Sequence, residues 1–132
     1  MISYYNLCRQ ILDLDLSIRF AGVATLDGKI VATQYREGVQ SLLNLQESEL
    51  SIMQSLIRMS IRRALEQQLG KTVYATATYQ RVKRATISLF NEGQKYDSYL
   101  MVSFEKEANI ESIINDKILP LLSKIGKGLM TV

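Results

Sequence analysis

Apolar and β-branched residues fill two runs in the segment RFAGVATLDGKIVATQYREG, Arg19 to Gly38, and the runs meet at Asp27-Gly28. A two-residue Asp-Gly link between β-prone runs predicts a hairpin. The expected turn is type I′, with positive φ at both central residues, which Asp tolerates and Gly adopts without steric cost. Val23, Ile30 and Val31 favour extended backbone, while Gly22 and Ala24 leave one face thin enough for another element to approach closely.

Helical spacing flanks this hairpin on both sides. Ser3 is placed to cap a helix running to about Leu14, in which Tyr4, Cys8, Ile11 and Leu12 share a face. Asp13 and Asp15 stand two apart, point in different directions on a helix, and read as its end rather than as a metal pair. Gly38 to Glu47 is a connection. Asn44 and Glu47 have capping-box spacing, with Ser48 as an alternative cap, and the longest helix follows to Leu69, stopped by Gly70. This helix carries two apolar stripes at 100° per residue. Leu50, Met53, Ile57, Ile61 and Ala64 are expected to cover the sheet. Ile52, Leu56 and Met59 lie roughly opposite, and need cover from another helix or another molecule.

Three strands come next: Lys71 to Val82, Arg84 to Phe90 after a short basic turn, and Tyr96 to Glu105 after Asn91-Glu92-Gly93. In the last, Tyr96, Leu100, Val102 and Phe104 are expected on one face at period two. Asn109 then caps a helix bearing Ile110, Ile114, Ile118, Leu121 and Ile125, which Pro120 should kink or break near Asp116. The order is α-β-β-α-β-β-β-α. Short links favour antiparallel neighbours, so the fold class is α+β, with one five-stranded antiparallel sheet and helices packed on it. Residues 1–125 form the single expected domain and residues 126–132 a flexible tail.

This pattern resembles the roadblock and profilin-like (longin-like) class of small domains. The likeness rests on Gly22 with Asp27-Gly28, the Leu69-Gly70 stop, and the hairpin around Asn91-Glu92-Gly93. The opening is also similar to a group of short archaeal proteins, through Ile11 to Asp15, Ile18 to Gly22 and Arg36 to Gly38. Resemblance to roadblock proteins implies a non-catalytic dimeric scaffold, often a partner of small GTPases. Pro120 and the basic central helix depart from that pattern.

Composition narrows the chemistry. The 132 residues are 47% hydrophobic and 22% charged, as expected of an ordinary globular chain. No apolar run approaches the ~20 residues of a membrane span, and MISYYNLCRQ lacks the features of a secretory signal. Cys8 is the lone cysteine, so no intrachain disulfide forms and a cytoplasmic setting is expected. Its place in an apolar stripe predicts an inert thiol. The absence of His removes the commonest general base and a common zinc ligand. Gly22 and Gly28-Lys29 have five intervening residues where a phosphate-binding loop needs four, and Ile30 replaces the required hydroxyl. Gly126-Lys127-Gly128 is too short to cradle a ligand alone. Glu105 and Glu107 read as a solvated strand end. The chain is therefore expected to be non-enzymatic, with no catalytic residue, cofactor or metal.

Three functional readings follow. The leading one is a homodimeric protein-interaction scaffold. Its interface would comprise Ile52, Leu56 and Met59 of the long helix with Thr72, Tyr74, Thr76 and Thr78 of a strand that the resemblance places at the sheet edge. A second is a small-molecule sensor with an apolar pocket between sheet and helix, to which Tyr74, Tyr79, Tyr96 and Tyr99 could lend hydroxyls. The third is weak nucleic-acid binding through Arg58, Arg62, Arg63, Arg81, Lys83 and Arg84, at a net charge of +3. Glu66, at i+4 from Arg62 and i+3 from Arg63, is expected to answer part of that charge, leaving a solvated helix face.

Overall fold

A computed structural model describes residues 2–125 and the backbone of Leu129 and Met130. Ser3 caps α1 (Tyr4–Leu14) by accepting from the Asn6 amide, and Tyr4, Leu7, Cys8, Ile11 and Leu12 form its buried face. Before it, β1 (Ile2–Ser3) pairs in parallel with the two-residue strand Leu129–Met130. The flexible tail expected from Gly126 otherwise falls outside the described residues. The main sheet contains β2 (Ile18–Thr25), β3 (Ile30–Tyr35), β4 (Tyr74–Thr78), β5 (Val82–Phe90) and β6 (Tyr96–Glu105). Its order is β3-β2-β6-β5-β4, every neighbour antiparallel.

The Asp27-Gly28 hairpin forms with a different turn. The Thr25 amide donates to the Lys29 carbonyl, and the Gly28 amide to that of Thr25. Only Gly28 has positive φ (96°). The loop is thus Leu26-Asp27-Gly28, a three-residue connection with glycine in the left-handed position. Thr25 selects it: its Oγ1 bonds Asp27 and accepts from the Lys29 amide, which fastens a longer loop than Asp-Gly alone requires. A β-carbon at Gly28 would lie 3.0 Å from Met53 Sδ and 3.4 Å from Leu56 Cδ1. Glycine therefore also brings this turn against the long helix.

That helix, α2 (Leu45–Arg62), opens on the expected capping box, Asn44 with Glu47. It tightens to a 3-10 turn at Arg63–Leu65, continues as α3 (Glu66–Leu69), and stops at Gly70 (φ 84°). The next strand is shorter than expected. β4 begins at Tyr74 because the backbone of Thr72 is held by side chains, its amide donating to Tyr96 Oη and its carbonyl accepting from Ser88 Oγ. The β4–β5 turn is closed by the Tyr79 amide on the Val82 carbonyl, so Val82 belongs to β5. A register shift near Phe90 and Tyr96 moves Tyr96 away from Leu100, Val102 and Phe104. It stacks with Phe90 and Tyr99 instead, since one extra residue flips the alternation.

The last helix breaks as Pro120 requires. α4 (Ile110–Ile113) passes through a π turn (Ile114–Ile118) into α5 (Leu119–Ile125), because proline offers no N–H and its ring crowds the carbonyl four residues back, at Asp116. α1 and this broken helix cover one sheet face, with Tyr4, Leu7, Ile11, Ile87, Leu100, Phe104, Ile114 and Ile118 in the larger core cluster. α2 covers the other face through a far smaller cluster of Ala24, Ile52, Leu56, Met59, Tyr99 and Met101. Arg36 locks the first layer. Its guanidinium donates to the carbonyls of Leu12, Asp15 and Ile18, fastening the end of α1 to the start of β2.

Candidate functional site

α2 is apolar on two opposite sides, and the chain turns the shorter one inward. Ile52, Leu56 and Met59 are buried against the sheet, and Ser51 and Ser55 on the same helix are buried as well. Leu50, Met53, Ile57 and Ile61 are 59%, 46%, 53% and 68% exposed, and Ala64 is exposed as well. The expected assignment of the two stripes is thereby reversed, and Ile52, Leu56 and Met59 are not an outward surface. The reason lies in the sheet. Ala24 and Ala75 present little bulk to α2, so a narrow face carrying two serines fits there. The wider apolar stripe is left on the outside, extended by Leu65 one turn on. A monomer gains nothing from it.

The sheet edge beside α2 is β4, as expected. The Val73 carbonyl accepts from Ser88 and the Tyr79 amide donates to Val82, so odd-numbered residues face β5. The backbone groups of Tyr74, Thr76 and Thr78 therefore point outward, with no strand beyond them among the described residues. Thr76 and Thr78 are exposed. The Tyr74 side chain is occupied, its hydroxyl donating to Glu111 and accepting from Asn115. Thr72 is withdrawn from the edge by its bonds to Tyr96 and Ser88.

The basic residues divide. Arg58 and Arg62 from α2 and Arg84 from β5 line one groove between the helix and the β4–β5 side of the sheet. Arg63 turns away, stacking on Tyr96 at 4.9 Å and donating to Tyr99 Oη. Burial, with the Glu66 carboxylate as a lesser cause, holds the Tyr96 hydroxyl above its ordinary range. Glu66 thus faces Tyr96 and forms no ion pair with Arg62. Lys83 donates to the Ala108 carbonyl, and Arg81 is exposed in the turn. Half of the six converge.

The arrangement offers little chemistry. Among the described residues no three of His, Cys, Asp and Glu gather as metal ligands. Cys8 is fully buried, and burial pushes its thiol up to about 12. Glu105 is paired with Arg19 and Glu107 with Lys106, two separate surface contacts. The groove under α2 encloses about 60 Å³, too little for the apolar ligand that a sensor would hold in that place. Among the described residues no helix is long and apolar enough to cross a membrane.

No protein-family model matches the chain, and no curated protein matches it. Solved structures do match its fold. A Roadblock/LC7 domain from Streptomyces avermitilis superposes with a TM-score of 0.68 at 10% identity, covering 94% of this chain and 95% of that one. The gliding protein MglB from Thermus thermophilus gives 0.69 at 12% identity, covering 93% and 87%. A second MglB structure, described as having a tetrameric arrangement, gives 0.68 at 12% identity with the same coverage. The fold is that of Roadblock/LC7 domains.

Proposed function

We propose that the chain is a non-catalytic homodimeric scaffold, a regulatory interaction module whose copies meet through the outer face of α2 and the β4 edge. The observation that carries this reading is the coincidence of two unsatisfied surfaces on neighbouring elements. One is the exposed stripe Leu50, Met53, Ile57 and Ile61; the other is the outward backbone of Tyr74, Thr76 and Thr78. An open edge of this kind invites pairing, and a two-fold axis lets each patch meet itself. The fold supports the reading, as does the tetrameric arrangement in which MglB occurs.

Magnitudes show why both surfaces are needed. Each outer side chain is about half exposed, so covering it contributes about 1 kcal/mol. Eight such side chains, four from each copy, give about 8 kcal/mol, within the range of about 4–15 kcal/mol that association costs. The stripe alone covers that cost only toward the lower end of the range. Continuing the sheet across β4 supplies the remainder and fixes the register. A partner of the small-GTPase class, which the roadblock resemblance implies, would then dock on the assembled pair, in the reducing cytoplasm that suits a free Cys8.

Light scattering at tens of micromolar tests the interface. The wild type is expected at dimer mass. Ile57→Asp should give a folded monomer, because it sets two like charges in a shared apolar contact. A monomeric wild type, or an Ile57→Asp protein of unchanged dimer mass, overturns the proposal.

A further inference from the structure

We propose that the groove between α2 and the β4–β5 side of the sheet is a binding site for a phosphate-class oxyanion, held by Arg58, Arg62 and Arg84. Three observations carry it. Arg58, Arg62 and Arg84 line one groove although they come from two elements far apart in sequence. Arg58 and Arg62 stand at i and i+4, where like charges repel on a helix, and Arg84 adds a third positive charge across from them. No Asp or Glu lines the groove, and the ion pairs among the described residues, Arg19–Glu105, Lys106–Glu107 and Lys117–Asp15, all lie elsewhere. Among the described residues, the side-chain contacts that Arg58 and Arg62 make are at the outer limit of hydrogen bonding, 3.5 Å to Ser55 Oγ and 4.0 Å to Met59 Sδ. Their donors are therefore free to turn to a ligand.

The size and chemistry of the seat select the ligand. A volume of about 60 Å³ leaves room for a small ligand such as one tetrahedral oxyanion. Three guanidinium forks offer more donors than a carboxylate has lone-pair sites, whereas a phosphate monoester brings up to two charges and three strong acceptor oxygens. Ser55, Thr86 and Ser103 add hydroxyls around the same space. A nucleic-acid strand needs a row of such seats along its backbone, and the groove provides one. The site does not depend on the dimer. Ala75 and Ala77 line it from β4, while the outward backbone of that strand is at right angles to their side chains.

The test is a titration of the full chain with inorganic phosphate at constant ionic strength, followed by calorimetry and by amide NMR shifts, with mass recorded in parallel. Saturable binding is expected, with shifts centred on Ser55, Thr86 and Ser103. Arg84→Gln should weaken it at least about tenfold, the share of one charge-assisted hydrogen bond, and Arg58→Gln with Arg62→Gln should abolish it. Arg81→Gln, outside the groove, should leave it unchanged. A glycerol phosphate arm and a phosphoserine-peptide arm distinguish a free ligand from a group borne by a partner, and either one binding in the groove supports the site. Equal responses to chloride and phosphate overturn the proposal. So does loss of binding in Arg81→Gln equal to that in Arg84→Gln, or binding of single-stranded DNA at physiological salt without any response to phosphate. A monomeric mass with intact phosphate binding would defeat the homodimer alone.

Discussion

Truncating Leu56 separates the two faces of α2 more sharply than any other single change. Its side chain is 6% exposed and packs with Ile52, Met59, Tyr99 and Met101, and it lies close to Gly28 in the β2–β3 turn. Removing three carbons forfeits their transfer energy and leaves a cavity, and such changes cost about 2–5 kcal/mol. The cluster is thin and borders the groove, so α2 can settle partly into the space. The lower half of that range, about 2–3 kcal/mol, is the expected loss for Leu56→Ala. In a domain of this size that lowers Tm by roughly 8–12 °C, and moves the urea midpoint down by roughly 1 M. Ile57→Ala, one residue on and half exposed, should stay within about 0.5 kcal/mol of wild type. Both variants are unfolded in urea at concentrations low enough to keep the chains apart, since association adds to apparent stability. A Leu56→Ala protein as stable as wild type, with the loss appearing in Ile57→Ala, would refute the packing described for α2.

Arg36→Met should destabilise the fold by about 3 kcal/mol, because three carbonyls between Leu12 and Ile18 lose a charged donor, and Arg36→Lys should recover little of it; urea unfolding measures both. Asp15 is held well below its ordinary value, to about 2, first by Lys117 Nζ and then by the Ser17 hydroxyl and amide. A carboxyl depressed in the folded state contributes stability that is complete above about pH 4 and disappears as pH falls toward about 2. Asp15→Asn should therefore be less stable than wild type at neutral pH, with the difference shrinking over that interval in thermal melts. Cys8 should resist a thiol reagent in the native state and react only on unfolding, since its thiol is buried and pushed up to about 12.

Much of the fold is legible in local chemistry. Ser3, Asn44 with Glu47, Gly70 and Pro120 each act within one turn of their own position, and each does what its chemistry requires. The misreadings share a different cause. Asp27-Gly28 forms a longer loop because Thr25, outside the dipeptide, supplies the decisive hydroxyl. Tyr96 leaves its expected face because a register shift in the β5–β6 ladder interrupts the alternation. The stripes of α2 exchange roles because the sheet beneath is lined with alanines from separate strands, and a helix wheel carries no information about the surface it will meet. The groove shows the same limit. Arg58 and Arg62 are visibly neighbours on a helix, but Arg84 and Ser103 join them only through the pairing of β5 with β6. Glu66, close in sequence, faces Tyr96 instead.

Amide hydrogen exchange along β4, followed from dilute to concentrated protein, tests most directly whether two copies join at this edge. The amides of Ala75 and Ala77 face β5 and should be protected at every concentration. Those of Thr76 and Thr78 face outward. They should exchange freely in dilute solution and slow in step with the appearance of dimer mass, and Ile57→Asp should keep them fast throughout. Outward amides that stay fast in a sample of full dimer mass would contradict edge pairing.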